Sequence, residues 1–279
     1  MGPIVRIKVV RKLFDVEYLL LRLKSKERRG SKPRCHWLTH GTREQVANRL
    51  TELVEPWGMV SGEDQWMPEG FCRTEEARLD KASRLLTQKE CARLRDWWLA
   101  VPHRANTPNW DIASTCKVGG AKGILLVEAK AHNEELNKEV NGKILNRTAS
   151  DNSIRNHAQI GGAMDEASSS LAVQTECRWA LSRTHHYQMS NRFAWAWKLT
   201  ELGYPVILVY LGFLKAEEMR EGKKQRPLSG HTEWEGLVKS HSGPLFPEEV
   251  WNQKWSVNGQ FFVPRICSRE IPYDVQIEE

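Results

Sequence analysis

Two residues of opposite charge close an apolar stretch of this chain. Residues 124–127 are Ile-Leu-Leu-Val, and Glu128 and Lys130 follow, separated by a single alanine. Charged side chains are rarely placed in a buried strand without a partner or a function, because removing them from water costs free energy. Side chains two apart in a strand lie on one face, so Glu128 and Lys130 are expected to project together.

A third residue, Asp111, is expected to join them. It opens the alternating segment 111–118, and residues 119–123 (Gly-Gly-Ala-Lys-Gly) join that segment to the apolar one. So short a connection makes the two strands antiparallel neighbours, which puts Asp111 opposite Glu128 and Lys130. Two carboxylates and a backbone carbonyl are hard oxygen ligands that suit Mg²⁺ or Mn²⁺ better than zinc. A divalent ion held there can activate water, and a lysine beside it can orient that water or stabilise charge developing on a phosphorus.

The surrounding sequence predicts an α/β fold in which helices pack on a mixed sheet. A capping box at residues 42–45 predicts a helix as far as about Val54, and Asn258-Gly259 predicts a hairpin turn between two strands near the end of the sequence. The apolar periodicity predicts further helices over residues 75–101, broken near Leu86-Thr87, and over residues 156–172 and 186–202, with a buried strand over residues 205–213.

Composition restricts the class of protein. With 40% hydrophobic and 27% charged residues among 279, the chain matches an ordinary globular protein. No apolar run is long enough to cross a bilayer, and the first residues do not form a secretory signal, so a cytoplasmic protein without a membrane partner is expected. The six cysteines are widely spaced, which favours free thiols over a disulfide framework.

Positive charge is concentrated at the beginning of the chain. Residues 1–34 contain eleven Lys or Arg and three acidic residues, a formal charge of +8, whereas residues 35–279 sum to −2. Such a segment can attract phosphate backbones without reading sequence, although a solvated tail is an equally good interpretation. We therefore predict a basic arm over residues 1–34 and a single domain over residues 35–279, with its core at about 75–214 and an extension at 215–279.

The three charged residues and their context resemble the PD-(D/E)XK nuclease superfamily, which includes restriction endonucleases. The pattern of that superfamily has an Asp at the start of one strand and (Asp/Glu)-x-Lys at the end of the next. Asp111 and Glu128-Ala129-Lys130 occupy these positions, while Pro108 precedes the Asp by three residues instead of one. The resemblance implies a restriction endonuclease-like core of a helix, three strands, a helix and a strand over roughly residues 75–214.

The resemblance also implies roles for residues outside the hairpin. The superfamily often has a Gln on the helix after the lysine strand, with a Tyr four residues later, and here Gln188 is followed by Arg192. Gln188 would hold the attacking water or a ligand carboxylate, and Arg192 a phosphate. An additional acidic ligand from the first core helix would be Glu76 or Glu90, between which periodicity does not choose.

The expected activity is therefore Mg²⁺- or Mn²⁺-dependent hydrolysis of phosphodiester bonds. Asp111 and Glu128 would bind the metal, Lys130 would assist the water, and Gln188 would support them. By analogy with the superfamily, DNA is favoured over RNA, and the oligomeric state stays open, a dimer included. Three alternatives remain: a structural cluster of ion pairs, a nucleic-acid-binding protein without turnover, and an enzyme that uses Lys130 as a nucleophile.

Overall fold

A mixed sheet of seven strands lies at the centre of residues 18–271, the part of the chain that the computed structural model describes. The order along the sheet is β1-β3-β4-β5-β7-β6, and β2 also pairs with β3. The β4–β5 and β5–β7 pairs are parallel and the others antiparallel, which confirms the predicted α/β class and mixed sheet. The strands are β1 (Gly58–Met59), β2 (Trp66–Met67), β3 (Ile112–Val118), β4 (Ala121–Lys130), β5 (Val206–Leu214), β6 (Trp255–Val257) and β7 (Gln260–Glu270).

Helices cover both faces of this sheet. One face packs against α1 and α2, and the opposite face packs against α3, α5, α6 and α7. Burial on two sides explains why β4 and β5 are apolar at nearly every position. The helices are α1 (Ser31–Leu38), α2 (Arg43–Val54), α3 (Gln88–Trp98), α4 (Glu134–Lys138), α5 (Asp151–Thr175), α6 (Tyr187–Glu201) and α7 (His231–Ser242). No helix among residues 18–271 combines the length and the apolar composition needed to cross a membrane.

Capping boxes fix where two helices begin. In α2 the Thr42 hydroxyl accepts the Gln45 backbone N–H and the Gln45 side chain accepts the Thr42 N–H, as predicted. Thr87 and Glu90 form the same reciprocal pair at the start of α3. The predicted helix over residues 75–101 is therefore wrong in its first half. Residues 75–87 form turns, and Trp110 N–H donates to the carbonyl of Ala77.

The predicted C-terminal extension completes the sheet. Strand β7 pairs in parallel with β5 from Val206↔Phe262 to Leu214↔Glu270. The predicted turn at Asn258 and Gly259 is confirmed, since both have positive φ (52° and 72°) and join β6 to β7. The sheet around the charged residues thus depends on residues beyond 214.

Part of the predicted basic arm is packed against the rest of the structure. Leu20 and Leu23 are buried beside Phe71, and Arg34 is 2% exposed and ion-paired with Glu218. Burial of these side chains makes residues 18–34 part of the folded body. Residues 1–17, which carry the remainder of the predicted arm, lie outside the described residues.

Candidate active site

The β3–β4 hairpin sets the relative positions of the three charged residues. Its register pairs Ile112 with Val127, so Asp111 lies beside Glu128. The backbone N–H of Ala129 donates to Asp111 Oδ2 at 2.8 Å and fixes that carboxyl group. Val127 and Ala129 belong to the core under α1 and α2, so the alternation of the strand directs Glu128 and Lys130 to the opposite face.

Both oxygens of Glu128 are held by cations or amides. Oε1 accepts hydrogen bonds from Lys130 Nζ and Gln188 Nε2, each at 2.5 Å, and Oε2 accepts from Arg192 Nε at 2.6 Å. Burial alone would raise the pKa of Glu128, but the charges of Arg192 and Lys130 outweigh it, so the pKa is lowered. Glu128 is therefore an ionised carboxylate although only 2% of its surface is exposed.

Lys130 is shared between two carboxyl groups. Besides Glu128, its Nζ contacts Glu139 Oε1 at 2.5 Å. Burial disfavours the ammonium form, but Glu128 and Glu139 outweigh burial and hold the pKa of Lys130 well above its usual range. A lysine that stays protonated is a poor nucleophile, which counts against the enzyme class that would use Lys130 for covalent catalysis.

The surroundings of Asp111 disfavour the ionised form of its carboxyl group. Burial, followed by the charge of Glu128, raises the pKa of Asp111 to about 8, against the opposing effect of Lys130. Its Oδ1 has no hydrogen-bond partner among residues 18–271, whereas Oδ2 is bound by Ala129. The carboxyl groups of Asp111, Glu128 and Glu139 thus face two cations, Lys130 and Arg192.

The types of donor at this position suit a divalent cation. Asp111 and Glu128 supply hard oxygen ligands on neighbouring strands, and Asp111 Oδ1 is uncommitted. A divalent cation would also balance the excess of carboxyl groups over basic side chains. Within the described residues, however, no group of three or more His, Cys, Asp or Glu side chains converges on one point. Any metal would therefore need backbone, solvent or substrate oxygens to complete its coordination.

Helix α6 brings two further side chains to the hairpin. Gln188 and Arg192 are four residues apart and lie on one helical face, so both reach Glu128. The Arg192 guanidinium also lies 4.7 Å from the centre of the Trp110 ring and donates to Asn191 Oδ1. Arg192 therefore binds a carboxylate, whereas the family resemblance implied that it would bind a phosphate.

These residues form the base of an open cleft of about 580 Å³. The lining also includes Thr107, Pro108 and Asn109 from the loop before β3, and Tyr187 and Asn191 from α6. The cleft is thus large enough for a ligand of small-molecule size, for which pockets of about 300–1,000 Å³ are usual.

The two acidic candidates from the predicted first helix differ in position. Glu76 lines the cleft, but its oxygens are bound by Lys32 Nζ and Asn109 Nδ2, each at 2.9 Å. Glu90 does not line the cleft. It caps α3 and accepts a hydrogen bond from the Tyr204 hydroxyl. Of the two, only Glu76 is near enough to take part in chemistry at the hairpin.

Sequence reasoning missed two side chains of this cluster. Glu139 follows α4 in a polar segment without periodicity, and burial raises its pKa to about 7 despite Lys130. Tyr210 pairs with Glu128 in the parallel β4–β5 register, and its buried hydroxyl has no partner among residues 18–271. A polar side chain within the otherwise apolar segment 205–213 was a usable signal for Tyr210.

His132, His157, His185 and His186 lie outside the lining of the cleft. His186 instead contacts His241, with 3.2 Å between ring nitrogens, and burial lowers the pKa of both. The others hydrogen-bond or pair with neighbouring polar groups: His132 with Glu135, His157 with the Lys143 carbonyl and His185 with Ser182.

Comparison of the chain with protein-family models, with curated proteins and with solved structures found no match.

Proposed function

We propose that this chain is a metal-dependent nuclease that hydrolyses phosphodiester bonds, with DNA favoured over RNA, on a restriction endonuclease-like core. One observation carries the proposal: Asp111, Glu128 and Lys130 meet at the base of an open cleft, where Gln188 from α6 supports Glu128. The β3–β4 hairpin, the helices that follow it and the parallel strand β5 support the proposal, but only two strands lie between α3 and those helices, where the resemblance implies three.

In this proposal, Asp111 and Glu128 would hold Mg²⁺ or Mn²⁺. When bound, such an ion lowers the pKa of a coordinated water and neutralises charge on the phosphate. Lys130 donates hydrogen bonds to the attacking water or to the phosphate oxygens, because its ammonium group stays charged. Gln188 and Arg192 orient the Glu128 carboxylate, and the Ala129 N–H orients Asp111.

The main alternative is a nucleic-acid-binding protein without turnover. The connected set of ion pairs among Lys130, Glu128, Glu139 and Arg192 is the observation that favours it, because such a set can serve stability alone. The uncommitted Asp111 Oδ1 favours catalysis, since a purely structural cluster would leave no reason to bury that carboxyl group with a raised pKa.

A cleavage assay tests the proposal. Single-stranded DNA, double-stranded DNA and RNA would be incubated with Mg²⁺, Mn²⁺ or a chelator and with the wild type, Asp111→Ala or Lys130→Ala. We expect cutting that requires the metal and that falls roughly 10²- to 10⁴-fold in both variants, as is typical when a group acting on the transition state is removed.

Matched controls are Asp96→Ala and Lys122→Ala, which remove the same types of charge at exposed positions outside the cleft. These two variants are expected to cut like the wild type. If no substrate is cleaved while nucleic-acid binding persists, the result would favour the nucleic-acid-binding protein without turnover. Cutting that survives both Asp111→Ala and Lys130→Ala would exclude the proposed site.

A further inference from the structure

Four exposed basic side chains belong to chain segments that adjoin the cleft. Arg104 belongs to the loop that continues into residues 106–109, Lys143 and Arg147 belong to the segment before α5, and Arg155 belongs to the first turns of α5. None of the four forms an ion pair with another residue of the described part of the chain. We refer to Arg104, Lys143, Arg147 and Arg155 as the basic lip.

Backbone and side-chain contacts hold these segments together. Val101 N–H donates to Asn156 Oδ1 at 2.7 Å and Asn156 Nδ2 donates back to the Val101 carbonyl at 2.9 Å. This reciprocal pair fixes the Arg104 loop beside the start of α5. His157 Nε2 lies 2.8 Å from the Lys143 carbonyl, which fixes the preceding segment to the same helix.

The basic lip is continuous with the cleft at two points. Lys143 Nζ lies 3.5 Å from the Tyr187 hydroxyl and 5.4 Å from the centre of the Tyr187 ring, and Tyr187 lines the cleft. At the other point, residues 106–109, which follow the Arg104 loop directly, line the cleft. A chain-like ligand leaving the cleft on this side would therefore pass over the basic lip.

The charge of this surface is strongly one-sided. Residues 103–109 and 140–157 contain the four basic side chains of the lip and a single acid, Asp151. The amino-terminal end of the 25-residue helix α5 adds partial positive charge from its free backbone N–H groups. Asparagine, serine and threonine fill much of the rest, and such side chains commonly hydrogen-bond to phosphate and sugar oxygens.

We propose that the basic lip binds the sugar-phosphate backbone of a nucleic-acid strand next to the segment held in the cleft. This inference deepens the proposed function and rests on it only for the orientation of the strand, because binding can be measured without cleavage. Lys and Arg that neutralise phosphates release counterions, so binding through them weakens steeply with salt.

The test is a binding titration of the full chain with labelled single-stranded and double-stranded DNA in a chelator, over a series of salt concentrations. The variant is Lys143→Glu/Arg147→Glu/Arg155→Glu, and the milder Lys143→Gln/Arg147→Gln/Arg155→Gln accompanies it. We expect the dissociation constant to rise at least about tenfold at low salt. The slope of the logarithm of the binding constant against the logarithm of the salt concentration should become shallower by roughly 2 to 3. Each of the three lost phosphate contacts accounts for about 0.7 to 0.9 of that change.

A matched control reverses three exposed lysines elsewhere: Lys89→Glu/Lys117→Glu/Lys254→Glu. All three lie near the β3–β4 turn, at the end of the sheet remote from Glu128, and the change in net charge equals that of the lip variant. Thermal unfolding of each variant checks that it is folded. Equal weakening of DNA binding in the lip and control variants would overturn the inference, as would unchanged DNA binding in the lip variant.

The outcomes for the two proposals are separable. If the wild type binds DNA through the basic lip but never cuts it, the proposed nuclease activity is refuted and the proposed binding by the basic lip is supported. If the wild type cuts DNA and the lip variant binds DNA with unchanged affinity, the proposed binding by the basic lip is refuted and the proposed nuclease activity is supported. If both hold, the lip variant should raise KM for cleavage while changing kcat little.

Discussion

Glu139 competes with Glu128 for a single ammonium group. Lys130 Nζ is 2.5 Å from an oxygen of each residue, and the second oxygen of Glu139 is buried without a partner in the described structure. If a cation or a substrate phosphate draws Glu128 into new contacts, Glu139 still holds Lys130 in place and keeps it protonated. Glu139 is therefore a positioning residue, which acts on chemistry only through Lys130.

Replacing Glu139 with Gln is expected to change how stability depends on pH. The pKa of Glu139 is about 7 in the folded chain against an ordinary value of 4.5, so the folded state holds its proton more tightly. Its contribution to stability is present at low pH and is lost as pH rises through 7. The stability of the wild type relative to Glu139→Gln should then fall by about 1 kcal/mol between pH 6 and pH 8.

Urea unfolding of the two proteins at pH 6, 7 and 8, in a chelator, measures this difference. Glu134→Gln is the control, because the Glu134 carboxylate accepts hydrogen bonds from asparagine amides and pairs with no charged side chain among the described residues. A difference in stability that does not vary with pH would show that Glu139 is ionised throughout this range.

Residue types and spacing were sufficient to find Asp111, Glu128 and Lys130, and the family resemblance added Gln188; the structure brings all four into one cleft. Those residues belong to regular elements or, for Asp111, directly precede one, so strand alternation and helix periodicity indicate their directions. Glu139 could not be found in this way, because an irregular segment carries it and tertiary contacts alone set its position. The binding of Arg192 to Glu128 also required the three-dimensional distance.

Helix α7 packs closely on the strands beside the site. Gly212 of β5 pairs with Lys130, and a Cβ built on Gly212 would lie 2.6 Å from the Trp234 ring of α7. Trp234 is fully buried and donates its indole N–H to the Tyr210 carbonyl. The absence of a side chain at position 212 is what allows α7 to pack this closely.

Gly212→Ala is therefore expected to destabilise the fold by about 1–3 kcal/mol, since the ring and the strand must separate to admit a methyl group. Gly236→Ala is the control: it lies within α7 with no atom within 4 Å of the added methyl, and should stabilise by about 0.5–1 kcal/mol. Denaturant midpoints of both variants test the argument. An unchanged midpoint for Gly212→Ala would mean that α7 packs less tightly than described.

Local signals predicted some elements and failed for others. The capping box at Thr42 and the Asn258-Gly259 turn involve contacts within a few residues, so sequence alone indicated them. Residues 75–87 have helical periodicity but begin no helix, because the bridge between Ala77 and Trp110 uses backbone groups that a helix would need. Helix α7 was not predicted at all, and its position depends on β5 and β7.

At the scale of the whole molecule, the last strand is a structural requirement. Strand β7 lies against the full length of β5, and its side chains enter both hydrophobic cores: Phe262 and Ile266 on one face, Val263 on the other. The predicted boundary of the core near residue 214 follows the motif, whereas the packed sheet extends to Glu270.

A chain ended after Leu214 is expected to lose cooperative unfolding, because β5 would have a free edge and both cores would lack side chains. Thermal unfolding followed by circular dichroism would measure this against the full chain. Adding residues 215–271 as a separate polypeptide should restore some cooperativity. A sharp transition for the shortened chain alone would show that the motif-bearing half folds independently.

The late position of β7 also has a consequence during synthesis. The ribosome adds 45 residues between Leu214, where β5 ends, and Gln260, where β7 begins. At roughly 5–20 residues per second this takes several seconds, during which the apolar strand β5 has one unpaired edge. Such an edge pairs readily with other chains, so the nascent polypeptide is a natural client for a ribosome-associated chaperone.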